Sequence, residues 1–197
     1  MIEYVPIPLL KWLYPVHETP IVRTRDLKVL CLGLGRTGTE SLHDAILHLG
    51  YKGVYHGYRA AETPGEQIQW YRLALAKFKH DDQGLLNRIE FDRVIGDCEA
   101  VTDLPCAAFG PELLRAYPDA KVVLNRRRDV EAWYQSQLNT TQRTWKTWNS
   151  WSAWALSGLQ AELFWTRRIM YTLRTLPCPV KNLTCRQSLV FSSTVQL

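Results

Sequence analysis

The residues best suited to chemistry in this sequence stand in the glycine-rich segment Gly33–Gly38, which reads Gly-Leu-Gly-Arg-Thr-Gly. Arg36 lies inside the segment, and the hydroxyl side chains of Thr37, Thr39 and Ser41 lie within it or directly after it. A turn of this kind aims several backbone N–H groups and the positive end of a helix dipole at one point. We therefore expect the segment to hold a terminal phosphosulfate or phosphate group.

Two nucleotide-binding patterns fit the glycine spacing. Gly33, Gly35 and Gly38 satisfy the dinucleotide fingerprint G-x-G-x-x-G, but the acidic residue that should end the second strand is missing, because that strand ends at His56. The segment also has P-loop spacing, with Thr39 where an ATP-binding loop carries Lys. The sequence argues against an ordinary kinase or ATPase. An NAD(P)-dependent oxidoreductase and a turn that binds nothing stay open as alternatives.

Three consecutive arginines form a second candidate site. Arg126, Arg127 and Arg128 follow the apolar run 121–124, and ligands of α/β folds bind at the carboxyl ends of parallel strands. The planar guanidinium group can donate two parallel hydrogen bonds to a phosphate. Ser136, on the helix that follows, could add a hydroxyl to the same phosphate. The alternative is a solvent-exposed arginine run.

The elements that must position these residues alternate between strands and helices. The predicted strands are 29–32, 53–55 and 121–124, with 93–97 as a further short strand or connector; the predicted helices are 39–49, 68–78, 112–117 and 130–138, and 57–66 reads as a polar link. Strands alternating with helices indicate an α/β fold with a parallel sheet.

Length and composition limit the classes of protein. A chain of 197 residues fits one domain, which we expect at 28–176 between an N-terminal extension, 1–27, and an irregular tail, 177–197. The net charge of +5 suits an anionic ligand, but no Lys/Arg stripe interleaved with aromatic residues favours nucleic acid. The five cysteines show no C-x-x-C pair and no Cys/His cluster, so we predict neither a disulfide framework nor a metal site.

The first residues carry apolar side chains but lack the basic n-region and the long apolar core of a secretory signal. We expect a cytoplasmic protein whose N-terminal extension lies over the domain surface. The apolar side chains that would anchor it are Leu9, Leu10, Trp12 and Leu13. Contact of these side chains with a membrane surface stays open.

A family resemblance rests on five segments that occur in order over residues 28–140. They are Gly33–Leu42, Tyr55–His56, Val101–Pro105, Ala120–Leu124 and Arg128–Ser136. Together they resemble the fungal-type sulfotransferase family of P-loop fold, whose members are often labelled NAD-dependent epimerase/dehydratase. The resemblance implies a three-layer α/β fold with a parallel central sheet and a helical C-terminal region. It also implies a donor, 3′-phosphoadenosine 5′-phosphosulfate, and a hydroxyl or amine acceptor that the sequence does not identify.

The resemblance assigns roles to the residues of both candidate sites. The loop residues that would hold the 5′-phosphosulfate are Gly35, Arg36, Thr37, Gly38, Thr39, Glu40 and Ser41. Arg36 occupies the position of a loop lysine found in many relatives, where a cation stabilises charge on the bridging oxygen. Arg128 and Ser136 match the pair that holds the 3′-phosphate, and Arg127 is the alternative if the register differs by one residue.

The resemblance also provides a candidate catalytic base. In many cytosolic relatives the base is the histidine of Thr-His-Leu-Pro, and Asp103 occupies that position here. Asp103 is therefore the first candidate and His56 the second. An aspartate needs burial to raise its pKa before it acts well near neutrality, whereas a histidine starts closer to that range.

The C-terminal third departs from the resemblance. Trp145, Trp148, Trp151 and Trp154 recur at helical spacing, but the Trp- and Pro-containing segment with which family members usually end is not found. We therefore expect a shortened C-terminus, and a catalytically incomplete nucleotide-binding relative stays open beside an active sulfotransferase. The oligomeric state does not follow from the sequence.

Overall fold

A computed structural model of the chain describes residues 5–79, 82–142, 155 and 157–174. Its centre is a sheet of four parallel strands in the order β2-β3-β1-β4. The strands are β1 Val29–Cys31, β2 Val54–Tyr55, β3 Ala100–Val101 and β4 Lys121–Val123. In the register of the central strand, Val29 lies opposite Ala100 on one side and Lys121 on the other.

Helices connect the strands and cover the sheet. They are α1 Ile7–Leu13, α2 Thr39–His48, α3 Gly57–Glu62, α4 Pro64–Phe78, α5 Arg88–Ile95, α6 Gly110–Ala116, α7 Val130–Gln137 and α8 Ala161–Arg174. Short 3-10 turns at Gln83–Leu85 and Cys106–Phe109 and a π turn at Leu138–Gln142 complete the connections.

The sheet separates two hydrophobic cores, because successive strand residues point to opposite faces. Leu30, Tyr55 and Val101 contribute to the larger core, which α4, α5, α6 and α8 complete. The residues of the smaller core are Val29, Cys31, Ile46, Val54 and Ala100, so α2 covers the opposite face through Ile46. Helix layers on both faces of a parallel sheet confirm the predicted three-layer α/β fold.

A buried polar network fixes the segment that leads from β2 into α3 and α4. The Tyr55 hydroxyl donates to Glu66 Oε2 at 2.9 Å and accepts from Trp70 Nε1 at 2.7 Å. Arg59 in α3 donates through Nε and Nη2 to Glu66 Oε1, and through Nη1 to Asp97 Oδ2. These bonds hold α3 against the end of β2, and the residue between them is His56.

Two predicted segments differ from the structure. Residues 57–66, interpreted as a polar link, form α3 and the first turn of α4, where Pro64 occupies a first-turn position that needs no N–H donor. Residues 93–95, interpreted as part of a strand or connector, complete α5, which Asn87 caps through its side chain. The strand that follows α5 is β3, and it consists of Ala100 and Val101 alone.

Some expectations fall outside the described residues. They are the helical spacing of the four tryptophans from 145 to 154 and the irregular tail 177–197. Of the expected helical C-terminal region, the structure describes α8, whose Trp165 is fully buried. Within the described part of the chain, no helix is both long enough and apolar enough to cross a membrane.

Candidate active site

All four strands deliver candidate residues to the same edge of the sheet. β1 leads into the loop 33–38, β2 ends before His56, β3 is followed by Asp103 and β4 by Asn125. The carboxyl ends of parallel strands meet at one edge, which is where α/β folds bind ligands. The strand order places His56 and Asp103 on one side of the loop and Asn125 on the other.

The loop ends at the N-terminus of α2, where the capping position has no side chain. Gly38 is the N-cap of α2, with φ of 88°, and as a glycine it supplies no side-chain hydrogen bond to the helix. The amides of Thr39, Glu40 and Ser41 are the first three of α2 and have no intrahelical carbonyl partner by position. By contrast, Asp129 caps α7 with bonds to two amides. The open N-terminus of α2 therefore suits an anion.

Three side chains that follow β4 in the sequence, Asn125 and two on α7, hold the loop in place. The Gly35 carbonyl accepts from Trp133 Nε1 at 3.0 Å and from Gln137 Nε2 at 2.7 Å. Asn125 Nδ2 donates to the Thr37 hydroxyl at 2.7 Å. Sequence reasoning singled out none of these three side chains for the site. The one available signal was that all three follow β4, within the segment that carries the arginines.

The Asn125 side chain also explains why Gly33 is a glycine. A Cβ on Gly33 would overlap the side chain and the carbonyl oxygen of Asn125. The Thr37 hydroxyl, which accepts from Asn125, itself donates to the Leu34 carbonyl at 2.6 Å. The loop is therefore closed by bonds within the protein, and the Thr37 hydroxyl faces those partners.

The structure brings part of the arginine cluster to the loop. Arg36 has φ of 68°, and its Nε donates to Ser136 Oγ at 3.1 Å. Arg127 Nη1 donates to the Arg36 carbonyl at 3.5 Å. Arg126 and Arg128 are exposed on either side of Arg127. Cationic side chains and a hydroxyl thus border the open N-terminus of α2.

Asp103 lies on the other side of the loop, in a largely buried position. Burial raises the pKa of its carboxyl group, while His56, a hydrogen bond from the Thr39 side chain and the nearby Arg36 oppose the shift. Asp103 has φ of 62°, a left-handed conformation that is uncommon for a residue with a side chain. Strained residues of this kind cluster at functional sites.

His56 faces Asp103 through one ring nitrogen and caps α3 through the other. Its Nδ1 accepts from the Tyr58 amide at 3.3 Å, so we assign the proton of the neutral ring to Nε2. Nε2 lies 3.6 Å from Asp103 Oδ2 and, within the described part of the chain, has no hydrogen-bond partner. Burial lowers the pKa of His56, and the Asp103 carboxylate opposes that shift.

The structure therefore gathers the predicted site residues around one loop. The loop and α2 supply Gly35, Arg36, Thr37, Gly38, Thr39, Glu40 and Ser41; the neighbouring strand ends and α7 supply His56, Asp103, Arg127 and Ser136. Among the described residues, no three His, Cys, Asp or Glu side chains come together as a metal site would require.

Comparison with known proteins gives two findings. A family model described as a sulfotransferase domain matches residues 28–181. The chain is also similar to the "Ava biosynthesis cluster protein M" of Aspergillus versicolor, with 40% identity over 114 residues. That alignment covers 58% of this chain and 43% of the relative, so the chain spans less than half the length of the protein it matches.

The family match begins one residue before β1 and includes the glycine loop, Asp103 and the arginine cluster. The match covers well over half of the chain, and the matched residues contain the whole sheet whose carboxyl edge carries the site. This chain belongs to the sulfotransferase domain family.

Proposed function

We propose that this protein transfers a sulfuryl group from 3′-phosphoadenosine 5′-phosphosulfate to a hydroxyl or amine of a small-molecule acceptor. The observation that carries the proposal is the meeting of an uncapped helix N-terminus, the Arg36 side chain and the buried Asp103 carboxylate at one loop. The family supports the reaction class. The donor and the roles of individual residues are our assignment.

The loop fits the 5′-phosphosulfate end of the donor. The amides of Thr39, Glu40 and Ser41 and the helix dipole of α2 would neutralise the charge of this group. Arg36 adds a cation beside them and lies within hydrogen-bond distance of Ser136. Trp133 and Gln137 fix the Gly35 carbonyl, so this part of the loop is positioned before the anion binds.

The opposite end of the donor carries a 3′-phosphate, for which the arginine cluster is available. Arg127 and Ser136 both contact Arg36, so they lie next to the loop. Arg128 is exposed one residue further along. We assign the 3′-phosphate to Ser136 and Arg127, with Arg128 as the neighbouring alternative.

The transfer requires a base on one side of sulfur and cations on the other. The acceptor oxygen or nitrogen attacks the sulfur, the bond from sulfur to the bridging oxygen breaks, and its electron pair stays on the departing adenosine 3′,5′-bisphosphate. Asp103 takes the acceptor proton. Arg36 and the α2 amides stabilise the charge that develops on the departing phosphate.

His56 fits a positioning role beside Asp103. Its Nδ1 is engaged with the Tyr58 amide, so the ring presents Nε2–H toward Asp103 Oδ2. At 3.6 Å this contact is electrostatic rather than a hydrogen bond; it orients the carboxylate and opposes the rise of its pKa that burial causes. Asp103, held in this orientation, would accept the proton of the acceptor.

A second candidate is a relative that binds the nucleotide without completing the transfer. β4 favours it, since Val122 and Val123 are 50% and 38% exposed although parallel strands are ordinarily covered on both faces. A site whose edge strand is exposed in the part of the chain that the structure describes could bind the donor yet admit water to it.

Turnover of a radiolabelled donor tests the proposal. The protein is incubated with the sulfur-labelled donor and a panel of phenols, alcohols and amines, and labelled products are separated by chromatography. We expect transfer by the unaltered chain, loss of transfer in Asp103→Asn, and retained transfer in Asp119→Asn, a matched change at an exposed residue before β4. Retained transfer in Asp103→Asn would show that Asp103 is not the base. Donor binding without transfer to any acceptor would favour the second candidate.

A further inference from the structure

The site is divided electrostatically across the loop. Arg36, Arg126, Arg127 and Arg128 lie on the β1 and β4 side, where the proposed function places the anionic donor. The β2 and β3 side carries carboxylates and aromatic rings instead. An acceptor that attacks the sulfur in line must enter from the side that the donor leaves free.

Four side chains form a connected rim that faces the β2 and β3 side; three belong to α2, whose first amides are assigned to the donor, and the fourth belongs to α3. The Tyr58 hydroxyl donates to Glu40 Oε2 at 3.3 Å, and the Tyr58 ring lies 4.6 Å from the His56 ring. The His43 ring meets His56 edge-on at 5.5 Å, and His43 Nδ1 lies 3.0 Å from Asp44 Oδ1. We call Glu40, His43, Asp44 and Tyr58 the acidic rim.

The acidic rim has little local charge compensation. In the described ranges, neither Glu40 nor Asp44 forms an ion pair with a lysine or an arginine. The Glu40 carboxylate raises the pKa of the Tyr58 hydroxyl, and Arg36 partly opposes it from the donor side. The rim therefore places two carboxylates close to His56, with no lysine or arginine paired to them among the described residues.

A second observation indicates that a ligand belongs here. His56 is 6% exposed, and its Nε2, directed toward Asp103, has no hydrogen-bond partner among the residues the structure describes. Buried polar atoms without a partner are uncommon and call for an explanation such as a bound group. Tyr58, whose ring contacts His56, and Leu104, which follows Asp103, are 57% and 36% exposed.

We infer that the acceptor carries a positive charge, such as an ammonium or guanidinium group, close to the hydroxyl or amine that attacks the sulfur. Glu40 and Asp44 would attract the charge, and the exposed ring of Tyr58 would contact it through a cation–π interaction. The nucleophilic end would then lie at Asp103 and His56. This inference rests on the proposed function and adds the chemical class of its acceptor.

Three probes of the same shape and different charge test the inference. Tyramine, 4-ethylphenol and 4-hydroxyphenylacetate carry a positive, a neutral and a negative group on the same phenol. Each is titrated calorimetrically into the full chain saturated with adenosine 3′,5′-bisphosphate. We expect tyramine to bind about five- to tenfold more tightly than 4-ethylphenol, and 4-hydroxyphenylacetate to bind most weakly.

Variants of the acidic rim separate a charge effect from a loss of folding. Glu40→Gln should weaken tyramine binding about fivefold while strengthening bisphosphate binding, because it removes a negative charge near both ligands. Tyr58→Leu should weaken tyramine binding and leave bisphosphate binding unchanged. Asp119→Asn, the matched charge change at an exposed residue before β4, should alter neither.

The outcomes distinguish this inference from the proposed function. If the chain does not bind the bisphosphate at all, the proposed donor site is wrong. If the bisphosphate binds but tyramine gains nothing over 4-ethylphenol, including the case in which neither binds, the cationic acceptor alone is wrong. A parallel loss of tyramine and bisphosphate binding in Glu40→Gln would also contradict the cationic acceptor, because the two affinities should change in opposite directions.

Discussion

Arg36 offers the sharpest test of the donor site, since its backbone and its side chain make separate predictions. Its φ of 68° is left-handed, which costs a residue with a Cβ about 1–2 kcal/mol and costs glycine little. Its guanidinium group is assigned to the 5′-phosphate of the donor. Replacement by alanine removes the side chain and retains the strain, whereas replacement by glycine removes both.

The two variants should therefore lose binding equally and differ in stability. A charge-assisted hydrogen bond contributes about 2 kcal/mol, so both should bind adenosine 3′,5′-bisphosphate about thirtyfold more weakly. Arg36→Gly should be more stable than Arg36→Ala by about 1 kcal/mol, which raises Tm by about 2–4 °C for a chain of this size. Isothermal titration and scanning calorimetry measure the two quantities.

Arg115→Ala is the matched control, because Arg115 lies on α6 with a side chain that is 73% exposed and its loss changes the net charge equally. It should bind the bisphosphate as the unaltered chain does. Unchanged binding in both Arg36 variants would refute the assignment of the loop cation. Equal stability of the two variants would refute the argument from backbone strain.

Three further predictions concern the arginine cluster, the base and the glycine turn. Arg127→Ala should weaken bisphosphate binding about tenfold or more, and Arg128→Ala should weaken it less; binding of adenosine 5′-phosphate, which lacks the 3′-phosphate, should change in neither. Asp103→Asn should abolish transfer yet unfold at higher temperature than the unaltered chain at neutral pH. Burial raises the pKa of this carboxyl group, so the ionised carboxylate destabilises the folded protein above that pKa. The stability gained by Asp103→Asn should therefore shrink as the pH falls through that pKa. A stability gain that grows at low pH would contradict this sign. Gly33→Ala should lower the free energy of unfolding by about 1–3 kcal/mol through overlap with its neighbours, and Gly38→Ala by about 1 kcal/mol through its left-handed backbone alone, both measured by urea titration. A Gly33→Ala variant no less stable than Gly38→Ala would refute the predicted overlap.

The glycine loop and its two flanking elements could be predicted from the sequence because their signals are local. An apolar run, a Gly-rich turn and helical spacing from Leu42 onward lie within one continuous segment, and β1 and α2 occupy it. β4 was predictable for the same reason. The pairing of β1 with β4, in which Val29 lies opposite Lys121, is a long-range contact that the local pattern does not contain.

β2 was also predicted to within one residue, at 53–55, but β3 and α3 could not be placed with the same accuracy. β3 has only two paired residues, which is too short for a recognisable alternation. α3 owes its position to Arg59, which pairs with Glu66 and with Asp97, 38 residues away in the chain. A contact of that separation leaves no trace in local spacing.

The proximity of His56 and Asp103 also depends on the order of the strands. β3 lies between β2 and β1 in the sheet, so His56 at the end of β2 comes next to Asp103 after β3. The sequence proposed both residues as bases without indicating that they face each other. In the same way, Trp133 and Gln137 read as ordinary helix residues, although they bind the Gly35 carbonyl across about 100 residues of chain.

Calorimetric titration with adenosine 3′,5′-bisphosphate, beside adenosine 5′-phosphate, NAD and ATP, tests the donor site most directly. We expect the bisphosphate to bind most tightly and adenosine 5′-phosphate to bind more weakly, because it lacks the 3′-phosphate. Arg36→Ala should reduce the binding of both. NAD and ATP should bind weakly or not at all. Preferential binding of NAD, or bisphosphate binding that ignores Arg36, would contradict a donor site at the carboxyl edge of this sheet.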